Sequence, residues 1–240
     1  MHLSVVIPMY NEEKAVENAV RELDRSLKES FGVGNYEMIF VGDGCVDRSV
    51  TIAESLEPEF EALRVISYEK NRGKGHAVRT GMLEACGDFA LFTDCDLAYG
   101  ADIIKDFYDD FKAGKSDVVI GSRAIKGGGY DGYTFLRRVM SKMYLKVVSI
   151  FAGFDLSDSQ CGIKGFSGEY AKKIFGLCQA ERFEFDLEAL MIAEKLGCKI
   201  KEHPVRVINH GESKVSPLKD AFKMLGQIRH IKKRVKKIDI

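Results

Sequence analysis

Phe89-Ala90-Leu91-Phe92-Thr93-Asp94-Cys95-Asp96 is an apolar run that ends on two carboxylates one residue apart. The apolar half reads as a buried strand. At a strand tip the backbone leaves regular pairing, so Asp94 and Asp96 escape the alternation that would send them to opposite faces. Two hard oxygen ligands held there suit Mg²⁺ or Mn²⁺, which can bridge a substrate's phosphates. An ordinary strand-to-loop turn, where Asp is common, is the competing reading. What surrounds the stretch decides between them.

Upstream, Leu3-Ser4-Val5-Val6-Ile7-Pro8 is near-continuously apolar, as in a parallel strand covered on both faces. Met9-Tyr10-Asn11 turns the chain, and Asn11 is placed to cap a helix carrying Glu12 and Glu13 in its first turn. Ala15, Val16, Ala19, Val20, Leu23 and Leu27 recur at helical spacing. Further strands are expected at Tyr36–Val41, Leu63–Tyr68 and Val118–Gly121, with helices from about Asp47 to Leu56, from the Gly73-Lys74-Gly75 loop to Cys86, and from Ala101 to Ala113. This alternation with short connections predicts an α/β fold, a mostly parallel Rossmann-like sheet with helices on both faces. Function in such sheets gathers at the carboxyl ends of the strands. Polar clusters stand at four of those ends: Tyr10-Asn11-Glu12, Asp43, Arg72-Gly73-Lys74-Gly75 and Asp94/Asp96. Together they are of nucleotide size. No glycine fingerprint follows the first strand and no P-loop pattern occurs, which argues against dinucleotide binding.

Downstream the rhythm changes. A glycine-rich loop with Tyr130 and Tyr133 leads to an apolar helix, Leu136 to Phe154, studded with Arg137, Arg138, Lys142 and Lys146. Such a helix suits the surface of a bilayer, or else packs on the sheet with its cations solvated. The segment Gln160-Cys161-Gly162-Ile163-Lys164 is either a site motif or only a turn. A helix is expected near 168–178, another opens at Phe183-Glu184-Phe185-Asp186-Leu187-Glu188, a strand lies around Val205–Ile208, and a basic amphipathic helix closes the chain. From Lys219 onward there are eight Lys or Arg against two Asp.

Composition excludes several classes. Lys plus Arg and Asp plus Glu are each 36, so no global charge points to nucleic acid. The six cysteines form no Cys-x-x-Cys or close pair, which disfavours zinc and a secreted disulfide framework and favours reduced thiols. His76, His203 and His210 show no metal spacing. The chain opens directly on a strand, so no signal peptide is expected, and no apolar stretch reaches the length of a membrane span.

The ordered set of motifs resembles glycosyltransferase family 2, with its GT-A fold. Val5-Val6-Ile7-Pro8-Met9-Tyr10-Asn11-Glu12-Glu13 is similar to the family's opening and Asp94-Cys95-Asp96 to its metal motif. Arg72-Gly73-Lys74-Gly75, Gly121-Ser122-Arg123, Gln160 to Lys164, Phe185-Asp186-Leu187-Glu188 and Gly211-Glu212-Ser213-Lys214 resemble the dolichyl- and polyprenyl-phosphate branch, and within it the glucosyltransferases. The resemblance implies a single domain: a nucleotide-sugar half over 1–121, an acceptor half over 122–215 and the terminal helix over 216–240. It implies that Pro8, Tyr10, Glu12, Asp43, Arg72, Gly73 and Lys74 serve the donor, Asp43 by hydrogen bonds to the base. Asp94 and Asp96 would hold the metal and the diphosphate, with Arg123, Arg137, Gln160 and Lys214 on acceptor or donor phosphates. The family's Asp-Asp-Gly-Ser stands here as Gly42-Asp43-Gly44-Cys45, a departure that bears on the nucleobase.

The implied reaction is inverting transfer of a hexose from a nucleotide sugar, a UDP-hexose foremost, to a polyprenyl or dolichyl monophosphate. The enzyme would sit peripherally on the cytoplasmic face of a membrane. A phosphate acceptor is already anionic and needs no strong base. Asp186 and Glu188 then either act as base, as in transfer to a sugar hydroxyl, or orient basic side chains, or merely open a helix. A GDP-mannose-using transferase and a non-catalytic nucleotide-sugar sensor are the other readings.

Overall fold

A computed structural model of the chain describes residues 2–114, 116–130, 153, 156–208 and 228–239. The expected helix over 136–154, with Arg137 and Arg138, and the segment bearing His210 and Lys214 lie outside the described residues.

Among those residues the chain alternates β1 (Leu3–Met9), α1 (Val16–Phe31), β2 (Tyr36–Asp43), α2 (Ser49–Leu56), β3 (Leu63–Tyr68), α3 (Lys74–Glu84), β4 (Phe89–Phe92), α4 (Ile103–Lys112) and β5 (Val118–Ser122). There follow β6 (Gly129–Tyr130), β7 (Lys164–Ser167), α5 (Gly168–Leu177), α6 (Phe185–Lys195), β8 (Ile200–Pro204) and β9 (Arg206–Val207). A last helix, α7, covers residues 228–236.

Seven strands form one sheet in the order β3-β2-β1-β4-β7-β5-β8, and β6 pairs with β9 apart from it. The large sheet is parallel except for β7, which runs antiparallel to both β4 and β5. That reversal decides the architecture of the site. A parallel strand would deliver its far end to this edge, whereas β7 begins there, so Cys161 to Lys164 enter beside the end of β4. The Gln160-to-Lys164 segment is therefore a turn that leads into a central strand.

The pleat sorts the core into two layers. Val6, Ile39, Val41 and Phe92 face α3, α5 and α6, while Val5, Ile7, Phe40 and Leu91 face α1, α2 and α4. Phe92 stacks on Phe166 and meets Phe175 edge-on, both pairs at 6.4 Å. Burying each such ring contributes about 1.5–3 kcal/mol.

One local expectation fails for a physical reason. Asn11 does not cap α1: its own φ is 55°, its side-chain oxygen accepts from Val46 N at 2.9 Å, and the helix starts at Val16. The described part of the terminal helix packs its apolar side on the fold. Ile228, Ile231 and Val235 are at most 6% exposed and belong to the core, so only the opposite, basic face meets solvent.

Candidate active site

Beyond the end of β4, a tight turn from Asp94 to Leu97 closes with Leu97 N donating to Asp94 O at 3.0 Å. Leu97 is held at φ 45°, a left-handed conformation that costs a residue with a Cβ on the order of 1 kcal/mol. Its side chain is 2% exposed, so burial anchors the strained turn. The strain fixes where the two carboxylates project. Asp96 Oδ1 accepts from Ala98 N at 3.1 Å. Desolvation at the sheet edge and the neighbouring Asp94 charge push the Asp96 carboxyl above its usual range.

Gly162, just before β7, packs on Asp94: a Cβ built there would lie 2.4 Å from Asp94 Oδ2. Gly162 N donates to the Tyr99 hydroxyl at 3.1 Å, which locks that approach. On the other side the Lys74 ammonium, on the first residue of α3, lies 2.5 Å from Asp94 Oδ1. Burial alone would lower the Lys74 pKa, but Asp94, Asp186 and Asp96 outweigh it and raise it.

Behind Lys74 stands a second, buried pair. Lys164 is 0% exposed and donates to Asp186 Oδ1 and to Cys161 O, both at 2.6 Å. Its ammonium also lies 5.6 Å from the Phe92 ring centroid. Burial pushes the Asp186 carboxyl up, with Lys164 and Lys74 opposing. The result is a chain of charges, Asp96, Asp94, Lys74, Asp186 and Lys164, with one negative charge in excess. A cation already rests on Asp94, in the form of an ammonium, and the other donors at the edge are hard carboxylate oxygens. This chemistry fits a divalent ion. Among the described residues no group of three His, Cys, Asp or Glu could hold a metal, so substrate phosphates would complete the coordination.

The carboxylates read as candidate bases both pair with basic side chains of the protein. Asp186 pairs with Lys164. Glu188, 0% exposed, accepts from Gln179 N at 2.8 Å, from Ala180 N at 2.6 Å and from Arg234 Nε at 2.6 Å.

Asp43 turns out to anchor a loop. Its two oxygens take hydrogen bonds from four donors: the Tyr68 hydroxyl, Asn71 Nδ2, Arg72 N and Gly73 N, between 2.8 and 3.1 Å. Three of the four donors belong to the loop Asn71 to Gly73, and the fourth, Tyr68, ends β3. Gly42 has a packing reason, since a Cβ there would lie 2.6 Å from Val50 Cγ2. The family's first Asp would collide with α2. Gly73 and Gly75 likewise admit a neighbouring loop, with hypothetical Cβ atoms 2.5 Å from Glu181 O and 2.7 Å from Arg182 O. Arg72 forms an ion pair with Glu181. Lys70, Asn71, Arg72, Glu181 and Arg182 line a cavity of about 510 Å³.

Pro8 pairs with Val41 one residue before the end of β1, and the Tyr10 ring stands 46% exposed just past that end. Glu12 N donates to Ser49 Oγ at 2.7 Å. Arg123 leaves the end of β5 with its fork on Asp158, Nε at 2.6 Å and a terminal nitrogen at 2.8 Å. Asp158 is fully buried, so much of the guanidinium expected on phosphate is held by protein. Gln160 sits in the turn between Asp158 and β7, half-buried. Sequence reading gave Asp158 no role, met Lys164 only as the end of the Gln160 to Lys164 motif, and counted Arg234 only among the cations of the terminal helix. Lys164 carried the clearest signal, a charge inside the run Ile163-Lys164-Gly165-Phe166.

Residues 4–175 match Glycosyl transferase family 2. A dolichyl-phosphate beta-glucosyltransferase of Drosophila melanogaster is 35% identical over 232 residues, covering 90% of this chain and 70% of the fly protein. That of Saccharomyces cerevisiae is 31% identical, over 92% of this chain and 71% of its own length. Glucosyl-3-phosphoglycerate synthase from Mycobacterium tuberculosis, crystallised with Mn²⁺, uridine-diphosphate-glucose and phosphoglyceric acid, superposes with a TM-score of 0.69. The match covers 99% of this chain and 81% of that one at 19% identity, a likeness of fold. Strained carboxylate turn, sheet order and family match converge: this chain belongs to glycosyl transferase family 2 and has the GT-A fold.

Proposed function

We propose that the protein transfers a hexose, glucose foremost, from a UDP-sugar to a polyprenyl or dolichyl monophosphate, with inversion. The observation that carries this reading is the commitment of Asp186 and Glu188 to Lys164, Arg234 and backbone amides. A sugar hydroxyl must lose a proton as it attacks, so it needs a carboxylate in reach. A phosphate monoester brings its own anionic oxygen. That oxygen attacks the anomeric carbon from the face opposite the nucleotide, and the bond to the departing diphosphate breaks. The kinship with dolichyl-phosphate beta-glucosyltransferases supports the same donor and acceptor.

Asp94 and Asp96 would hold Mg²⁺ or Mn²⁺, which neutralises charge developing on the leaving diphosphate. Lys74, already poised at this edge, adds a positive charge for the same oxygens. Tyr10 offers its exposed ring to the base, with Pro8 and Glu12 beside it and the Asp43-anchored loop of Arg72 and Gly73 opposite. Arg137 and Lys214 supply the acceptor's phosphate site, with Gln160 and Arg123 beside them. Residues 1–121 thus serve the donor and 122–215 the acceptor. A lipid phosphate remains in its bilayer, and no helix among the described residues is long and apolar enough to cross one. Docking then falls to the exposed basic side of α7, Arg229, Lys233, Lys236 and Lys237, on the cytoplasmic face of the membrane. A panel of radiolabelled UDP- and GDP-sugars with polyprenyl phosphate, followed by lipid extraction, tests the reading. Label from UDP-glucose should enter the lipid phase only with metal present. Label entering it from GDP-mannose alone would reassign the donor.

A further inference from the structure

We infer that Arg234, on the terminal helix, is a positioning residue for the donor loop and acts through Glu188. The inference rests on the reading above that this loop serves the donor. The argument starts from a buried charge. Glu188 is 0% exposed, and among the described residues Arg234 is the cation within ion-pairing distance of it. A carboxylate enclosed in this way needs such a partner, and losing it is costly.

Glu188 then divides its two oxygens. Oε1 takes the Arg234 fork, and Oε2 takes Gln179 N at 2.8 Å and Ala180 N at 2.6 Å. Those amides begin the loop that runs to Arg182. Glu181 O accepts His76 N, in the first turn of α3, at 3.0 Å. The carbonyls of Ala180 and Arg182 press on Gly75, where a Cβ would lie 2.8 and 2.7 Å away. Glu181 also pairs with Arg72. The loop therefore sets both the loop anchored by Asp43 and the start of α3, whose first residue is Lys74. Arg234 is in turn held by its own helix. Ile228, Ile231 and Val235 are buried, and Lys195 Nζ donates to the carbonyls of Val235, Lys236 and Ile238 at 2.7–3.0 Å. Contact is continuous from α7 to the ammonium on Asp94.

The test compares Arg234→Gln with Arg234→Lys, using Lys173→Ala as a control that removes an exposed ion pair on α5. Hydrogen exchange at the Ala180 and His76 amides is read beside donor KM, acceptor KM and kcat per folded molecule. In Arg234→Gln both amides should lose protection and donor KM should rise on the order of tenfold, with acceptor KM unchanged. Arg234→Lys should recover part of both effects, and Lys173→Ala should show neither. A lowered melting temperature with wild-type donor KM and wild-type exchange at His76 would overturn the inference. Should Arg234→Gln not fold, native-state exchange in denaturant on the wild-type chain decides. The amides of α7, Ala180 and His76 should open together, and α7 opening first while His76 stays protected would overturn the coupling. A wild-type protein that turns over no nucleotide sugar, yet loses His76 protection on Arg234→Gln, would refute the functional reading and leave the coupling standing.

Discussion

Replacing Gly162 by alanine tests the placement of Asp94 with a single methyl group. The backbone at Gly162 does not require glycine, because its φ is not positive. The cost is in space: the new carbon would stand 2.4 Å from Asp94 Oδ2, where ordinary contact begins at 3.4 Å. Taking 3.4 minus 2.4, one of the two groups must move by 1.0 Å. Gly162 is tied by its amide to Tyr99 and leads straight into central strand β7, so the carboxylate yields. A misplacement of about 1 Å in a reacting assembly can cost on the order of 10²-fold in rate. The stability cost of such overpacking is about 1–3 kcal/mol, small enough to leave the protein folded. Gly176→Ala, on α5 with nothing within 4 Å of the new carbon, is the matched control. The assay is initial rate against Mn²⁺ concentration, with Mn²⁺ binding followed separately by electron paramagnetic resonance. Gly162→Ala should weaken Mn²⁺ binding and lower the rate on the order of 10²-fold, while Gly176→Ala behaves as wild type. A folded Gly162→Ala protein with unaltered Mn²⁺ affinity and turnover would refute the assignment of Asp94 to the metal.

Three other outcomes are expected. Asp96→Asn keeps the turn's shape but removes a charge, and transfer should fall on the order of 10²-fold or more at saturating metal, with circular dichroism unchanged. Lys164→Met leaves Asp186 buried without its closest cation, so the chain should lose about 3 kcal/mol of stability and roughly 10 °C in thermal midpoint; an unshifted midpoint would show the pair to be dispensable. Changing Arg229, Lys233, Lys236 and Lys237 together to Gln leaves Ile228, Ile231 and Val235 in the core. In vesicle sedimentation the variant should lose binding to anionic liposomes, about 1 kcal/mol per cation at low salt, while neutral liposomes bind neither protein.

Much of this was legible in the sequence where local pattern and tertiary demand agree. The apolar runs at Leu3, Tyr36 and Phe89 could only be buried strands, and the carboxylates had to stand at a sheet edge. What was hidden depended on partners distant in the chain. Nothing near Asp43 reveals that its oxygens are taken by Asn71 and Gly73, and nothing near Glu188 announces Arg234. The direction of β7 was equally unreadable, because Lys164 to Ser167 is short and its pairing with β4 and β5 is set by the sheet as a whole. The glycines at 73 and 75 also admit the carbonyls of Ala180 to Arg182, a contact that no local pattern reveals. The terminal helix shows the same limit: amphipathicity alone does not say whether the apolar side meets lipid or core.

The central claim is that the acceptor attacks through an oxygen already charged, since Asp186 and Glu188 are committed elsewhere. Its most direct test sets polyprenyl phosphate against the corresponding polyprenol in matched vesicles, with UDP-[¹⁴C]glucose and Mg²⁺ or Mn²⁺. The account predicts label in the lipid phase with the phosphate and none above background with the alcohol. Equal transfer to the alcohol, abolished by Asp186→Asn, would contradict it and make Asp186 a base.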